Sequence, residues 1–409
     1  MTFQVQTPNG GSDFLGFQNF SGTNIAKITA ADASANALTI TTGNSGTTAA
    51  MFDTNQNATM NYISAQNTFG FKNRIINGAM VIDQRNAGAS VTPTDGAYTL
   101  DRYKVRVSQA SKLTVQQNAG SVTPPVGFTN YIGITSSSAY SVTSTDYFVL
   151  VQDIEGFNTA DLMFGSASAK TITLSFQVYS SLTGTFSGAL RNSAFNRSYV
   201  FSYSIPVANT WTTISVTIAG DTTGTWLGAT NGIGLDVSFN LGCGSTYSTT
   251  AGSWQASNYT AATGATSVVG TNGATFYITG VQLEKGSIAT PFDYRDYGRE
   301  LIMCQRYYER SYNIGTATGT PGTTSSLGTF PAAYAVYFVA NFKVTKRVNP
   351  TVVGYSPYDG ASGNYSVNNT SNIALSGTIS NGTQGVILFT GSSPGNVSAY
   401  VHFTADSEL

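Results

Sequence analysis

The sequence predicts an all-β protein: an extended N-terminal β segment, an antiparallel jelly-roll sandwich, a short linking α-helix and a small C-terminal β-domain. Three observations carry this. The chain of 409 residues holds 43 Gly, 23 Tyr and 23 Phe among runs of Ser, Thr and Asn; small residues weaken helices, while aromatic and β-branched side chains suit a pleated surface. Apolar residues recur at period two over many short runs. Only 10% of the residues are charged, yet "VQLEKGSIATPFDYRDYGRELIMCQRYYER" concentrates acids and bases around one stretch of helical spacing.

Residues 1–70 come first. Leu38 and Ile40 alternate with Thr39 and Thr41, and Gly and Asn turns separate such runs. Large apolar residues are too few for a private core, so this segment is expected to borrow one from identical neighbours or a larger assembly.

Residues 71–295 form the main domain. Strand-like runs such as "YTLDRYKVRVS", "DYFVLVQDIEGF", "KTITLSFQVYSS", "WTTISVTIAG" and "ATFYITGVQLEKG" follow one another with turn signals between them. In "TITLSFQVY", Ile172, Leu174, Phe176 and Val178 face one way, and Thr171, Thr173, Ser175 and Gln177 the other. About ten such runs without intervening helices mean antiparallel sheets with one buried face, and a jelly roll is the form predicted.

Residues 296–312 are expected to form a helical strut. Tyr297, Leu301, Cys304 and Tyr308 recur at i, i+4, i+7 and i+11, one helical stripe predicted to be buried from about Asp296 to Arg310. Asp293 and Asp296 are candidate N-caps, and Arg306 and Arg310 suit the C-terminal end of the macrodipole. Residues 313–409, from "NIGTATGTPGTTSSLG" to "NVSAYVHFTA", read as a loop and a second β-module.

Composition also excludes functions. A net charge of -1 and a pI near 5.8 give no basic face for nucleic acid. No apolar run reaches the ~18 residues of a membrane span, so no membrane insertion is expected. "MTFQVQTPNGGSDF" lacks the basic and apolar regions of a secretory signal, which fits cytoplasmic synthesis and assembly into a particle. Cys243 and Cys304 read as free thiols. Catalysis is not expected: His402, the single histidine, lies in an ordinary strand, and zinc chemistry would need a His and Cys cluster. Asp153 and Glu155 share a strand face and are the acid pair a glycosidase could use, although a polar strand face beside a Gly turn explains them without chemistry.

Sugar recognition needs aromatic faces flanked by amides and hydroxyls. Trp254, Tyr247 and Tyr259 lie in the polar loop "GSTYSTTAGSWQASNYTAATGATS", and Trp226 follows the turn "GDTTGT". These four are the candidate carbohydrate-binding residues; the alternative is that their rings anchor the loop or a subunit interface. Trp211, beside "TTISVTI", reads as packing.

"NRIINGAMVIDQRNAGASVTPTDGAYTLDRY", "SLTGTFSGALRNSAFNRSYVFSYSI", "GDTTGTW" and "ATFYITGVQLEKGSIATPFDYRDYGRELIMCQRYYER" occur in this order over residues 71–310. Together they resemble the carbohydrate-binding-module-like domain of bacteriophage tail-fibre and appendage proteins. "FKVTKRVNPTVVGYS" resembles the small β-domain that follows it in such proteins. The resemblance implies a jelly roll in a homotrimer, displayed on the virion for host-surface glycan recognition and attachment, with residues 1–70 holding other virion proteins. A capsid-attached head fibre or decoration protein is the alternative, and a glycan-hydrolysing fibre a further one. No cofactor is implied beyond a structural calcium, to which Asn77 and Glu284 would contribute; the first-strand acid such sites use is missing here.

Overall fold

The computed structural model describes residues 72–329, 336–390 and 397–409, apart from the side chain of Ile379, and the backbone of six strands within residues 1–71. Those six, Thr2–Val5, Phe14–Gln18, Asn24–Ala30, Leu38–Thr42, Thr47–Phe52 and Ala58–Met60, pair antiparallel in chain order as one meander. Met1–Gly70 is one compact unit and Phe71–Leu409 a second. The expected borrowed core of the first unit concerns side chains outside the described residues.

In the second unit, period-two alternation produces two facing antiparallel sheets. One has five strands in the order Thr212–Ile218, Ile172–Ser180, Thr275–Lys285, Ile132–Ser136 and Leu113–Gln117. The other has seven: Trp254–Gln255, Ser198–Ile205, Gly184–Arg191, Ile233–Cys243, Tyr147–Glu155, Tyr103–Val107 and Ala97–Leu100. Ile172, Leu174, Phe176 and Val178 from the first sheet meet Val105, Phe148, Leu150, Leu190, Phe201 and Phe239 from the second, all buried. Each such side chain contributes about 1.5–3 kcal/mol by leaving water. The all-β sandwich is therefore the observed fold.

The outward face of the five-stranded sheet carries a ladder of rings. Tyr277 stacks on Tyr179 at 5.3 Å and on Tyr131 at 5.1 Å. Trp211 closes it against Tyr131 and Tyr179, and its indole N–H donates to the Thr123 carbonyl at 2.9 Å. Their faces are spent on one another, so Trp211 is packing, as expected.

The helix is shorter than its spacing predicts. It runs Tyr297–Gln305, with the Asp296 carboxylate accepting from the Arg299 backbone N–H at 2.9 Å. Asp296 is thus the N-cap, and Asp293 is not. Tyr308–Arg310 leaves the helix and pairs as a strand with Ala399–Asp406. Cys304 is buried against Ile76, Ile82 and Tyr307, and Leu301 is partly buried beside them. Tyr307 rather than Tyr308 completes this stripe, and Tyr297 is 49% exposed. A strand partner at residue 308 outcompetes two more helical turns because Tyr308, Glu309 and Arg310 all become buried. Cys243 and Cys304 are free thiols.

The strand Ala399–Asp406 is the centre of the second module, pairing with Tyr308–Arg310, Leu327–Thr329, Thr351–Tyr355 and Asn364–Val367. Val336, Phe338, Tyr365, Leu388, Val401 and Phe403 form its core. The chain then returns to the sandwich. Glu408 pairs with Arg102 and, at 3.1 Å, with Arg85. Tyr98 and Lys104 donate to the Leu409 backbone oxygen at 2.6 and 3.1 Å.

Candidate functional site

The outward face of the seven-stranded sheet holds the site. Each strand that sends apolar side chains inward must send their neighbours outward, and here these are Arg106, Val149, Arg191 and Asp236 beside small residues, Ser187, Ala189 and Ser198. The small residues let the loop after Cys243 lie flat on the sheet. The Ala262 N–H donates to the Ser187 hydroxyl at 3.0 Å, the Ser198 hydroxyl donates to the Ser257 carbonyl at 2.8 Å, and the Gly252 N–H to the Val200 carbonyl at 2.9 Å.

Between this loop and the sheet opens a pocket of about 170 Å³, lined by Arg106, Tyr147, Val149, Arg191, Phe195, Tyr247, Asn258 and Thr260. Tyr147 and Tyr247 meet edge to face at 5.6 Å and 89°. The Thr260 N–H fixes the Tyr247 carbonyl at 2.8 Å. Arg191 is buried, its Nε and Nη2 reaching the two oxygens of Asp236 at 2.9 and 3.0 Å, and its Nη1 donating to the Asn258 side-chain oxygen at 2.9 Å. Such a two-point fork fixes the guanidinium plane.

Phe195 covers that plane, its ring centre 4.6 Å from the guanidinium carbon. It sits at φ 51, the left-handed region that a bulky residue occupies at a cost of about 1–3 kcal/mol. The buried Asn192 holds it there: its side-chain oxygen accepts the N–H groups of Asn196 and Arg197 at 3.0 and 3.1 Å, and its amide donates to the Thr225 carbonyl at 3.0 Å. The aromatic, guanidinium and amide groups are thus set before any ligand arrives.

At the entry to Tyr147, Asp146 accepts from Ser108, Tyr140 and Thr143. Burial alone would raise the Asp146 carboxyl, but hydrogen bonds from the Thr143 backbone, Ser108, the Thr143 hydroxyl and Tyr140 outweigh it and hold it well below the usual range.

The four aromatic candidates read from the sequence are not brought together. Tyr247 lines the pocket. Tyr259 packs under the loop against Ala189, Val200 and Ala262. Trp226 and Trp254 meet edge to face at 5.4 Å at a different edge of the sandwich, each also against Phe164. Both indole N–H groups are used internally, Trp254 to the Ala219 carbonyl at 2.8 Å and Trp226 to Asp221 at 3.3 Å. The sequence reading missed Arg106, Tyr147, Arg191, Phe195, Asn258 and Thr260. One local signal was present: "RNSAFNRS" sets an aromatic among Asn and Ser, residue types whose side chains hydrogen-bond nearby backbone and so favour turns.

Asn77 and Glu284 are engaged separately. Asn77 bonds the backbone of Ile82 and Asp101, and Glu284 accepts from Gln282 and Thr290. Their oxygens already have protein donors, which does not fit a calcium shell. Among the described residues no group of three or more His, Cys, Asp or Glu side chains is placed to hold a metal.

The acids at the other end of the face are ion-paired. Asp153 bonds Lys104, and Glu155 takes Arg306 at 2.5 and 2.9 Å and the Tyr307 hydroxyl at 2.6 Å. Both are 1% exposed, so neither reaches a substrate. His402 donates through Nε2 to the Gly322 carbonyl at 2.8 Å, accepts from Ser311 at Nδ1 at 2.9 Å, and stacks on Tyr312. That assignment follows from the carbonyl being acceptor-only. Burial lowers its pKa, and among the described residues no carboxylate bonds it to orient it as a base.

Burial raises Asp101 to about 7, and burial with the facing Asp236 raises Asp153 to about 6, in spite of Arg85 and Lys104 respectively. Both carboxyls hold protons more tightly folded than unfolded, where they titrate near pH 4. Folding therefore takes up protons between about pH 4 and 7, and stability falls as pH rises through that window. Asp161, held down to about 2 by Arg74, acts oppositely and only below about pH 4. His402, which burial keeps neutral, also acts oppositely below about pH 6.5 and offsets part of the change. The melting midpoint is expected to be higher at pH 5 than at pH 8 by about 2–4 °C at fixed ionic strength. A midpoint that rises from pH 5 to 8 would contradict this.

No protein-family model and no curated protein matches the sequence. Solved structures show partial likeness. The enzymatically active domain of tailspike protein 4 of bacteriophage CBA120 aligns at 12% identity and a TM-score of 0.31, covering 52% of this chain and 21% of that one. A family 4 carbohydrate-binding module aligns at 16% identity and 0.26, covering 51% and 98%. The family 11 module from Clostridium thermocellum, solved with a mixed-linked tetrasaccharide, aligns at 13% and 0.25, covering 49% and 96%. At these scores the likenesses carry no inference about what this chain binds.

Proposed function

We propose that the chain is a non-catalytic glycan-binding protein of a bacteriophage particle, of the tail-fibre or appendage kind, and that it holds sugar in the Arg106–Tyr247 pocket. The observation that carries the reading is the prearranged set on the outward sheet face: two tyrosines at right angles, a guanidinium fixed by Asp236 under Phe195, and the Asn258 amide. A pyranose presents an apolar face and a rim of hydroxyls, and such a pocket offers both complements. Its volume of about 170 Å³ suits one ring of a longer chain. The virion role and the trimer are supported by the sequence motifs quoted above, which lie within residues 71–356, and attachment through residues 1–70 is what the same resemblance implies. The ion pairs that occupy Asp153 and Glu155 support binding without hydrolysis.

A single contact of this size is worth about -4 kcal/mol, a millimolar affinity, and three copies on a fibre would raise it by avidity. Tyr247→Ala should abolish retention of the intact chain on a glycan array while leaving its melting midpoint within about 2 °C, because Tyr247 is at the rim. Trp254→Ala should loosen the loop edge and keep retention. Loss of binding in Trp254→Ala alone would move the site to the Trp226–Trp254 edge, and release of new reducing ends would refute the non-catalytic reading.

A further inference from the structure

The pocket lining presents guanidinium groups that neutral sugar does not need. Its eight residues include two arginines and no carboxylate, in a chain whose net charge is -1. Arg106 donates through Nε to Asp95 at 2.9 Å and also bonds the Tyr147 side chain, and among the described residues its terminal nitrogens meet no carboxylate. The arginine is 35% exposed and lies 5.9 Å from the Tyr147 ring centre. Arg191 spends Nε, Nη1 and Nη2 once each, which leaves two of the five N–H donors of a guanidinium without a partner. Asp236 takes two nitrogens of Arg191 on the same sheet face, whereas Asp95 meets Arg106 through Nε alone, so the guanidinium that turns its outer edge to the mouth is that of Arg106.

From this we infer that the sugar held in the pocket carries a carboxylate, and that Arg106 is the residue that selects it. The inference rests on the glycan-binding reading above. The outer edge of a planar guanidinium, two nitrogens that meet no carboxylate among the described residues, matches the two oxygens of a uronate or similar acid, while a hydroxyl would engage only one of them. Tyr147 and Tyr247 would then hold the ring, and Arg191 and Asn258 its hydroxyl edge. The contact is charge-assisted and partly solvated, so it should weaken with salt.

The test pairs uronate oligosaccharides of galacturonate, mannuronate and glucuronate type with the same oligosaccharides after their carboxyls are reduced to alcohols. The full-length wild-type chain should retain at least one acidic member about tenfold better than its reduced counterpart, and 0.5 M NaCl should erase most of that preference. Arg106→Gln should bring the two forms within about twofold while Tyr247→Ala loses both. Equal binding of acidic and reduced forms, or a preference that Arg106→Gln leaves intact, overturns the inference but leaves the pocket as a neutral-sugar site. If no saccharide of either kind shows retention that depends on Tyr247, the glycan-binding reading itself fails.

Discussion

Glu408→Ala is expected to destabilise the 71–409 unit by about 3–5 kcal/mol, the typical cost of leaving a buried charge without its partner. Glu408 pairs with Arg102 and Arg85 at once, and the Arg102 side chain is only 1% exposed. Without Glu408, Arg102 keeps the Asp153 carbonyl at 2.5 Å and the face of Tyr307 at 3.5 Å, neither of which is a counter-charge. Arg85 keeps Asp406 at 2.9 Å, so Arg102 bears most of the loss. Glu408→Gln should cost less, since the amide oxygen still accepts a hydrogen bond. Denaturant titration of the three proteins at pH 7.5 measures this; a Glu408→Ala change under about 1 kcal/mol would mean that the return of the chain to the sandwich adds little to stability.

The same contacts bear on how the chain can be dissected. Arg347 holds the Ser407 and Glu408 carbonyls at 2.8 and 2.6 Å, so the tail is clamped from both modules. Cutting after Arg310 would remove Asp406 and Glu408 and strand Arg85 and Arg102 in the sandwich. Loss of binding in such a fragment would report unfolding as readily as a missing receptor surface. Point variants in the full chain are the cleaner instrument.

What was legible in the sequence was local. The inward set Ile172, Leu174, Phe176 and Val178 is buried as its alternation predicts, and the two neighbouring strands pair with it in antiparallel register. Asp296 as N-cap follows from its place before the helical spacing begins. The end of the helix was not legible, because a strand partner about a hundred residues later decides where it stops. Nor was the pocket. Arg106, Arg191 and Asn258 come from two strands and a loop far apart in the chain, and alternation says only that the arginines face outward. Trp254 in its polar loop and Trp226 after its turn stand out because side-chain type is visible in a sequence. That their N–H groups would be consumed by Ala219 and Asp221 is visible only in the fold.

The second large effect separates the fold from the site at a single ion pair. Arg191 and Asp236 sit opposite each other in register, both buried, and their fork is the floor of the pocket. Asp236→Ala leaves Arg191 charged and unpaired, which should cost about 3–5 kcal/mol. The loss should fall toward the lower end, because Asp236 also faces Asp153 and raises it; removing one carboxylate relieves the other. Replacing both partners with apolar side chains of similar size, Arg191→Met with Asp236→Leu, should restore most of that stability, since neither charge is then left buried alone. Binding should behave differently. The double variant lacks the guanidinium that Phe195 covers and that bonds Asn258, so its retention on the glycan bound by the wild type should drop at least tenfold while its denaturation midpoint stays near wild type. A double variant that is stable and still binds would show that Arg191 serves the fold alone, and would leave Arg106 and the two tyrosines as the whole of the site.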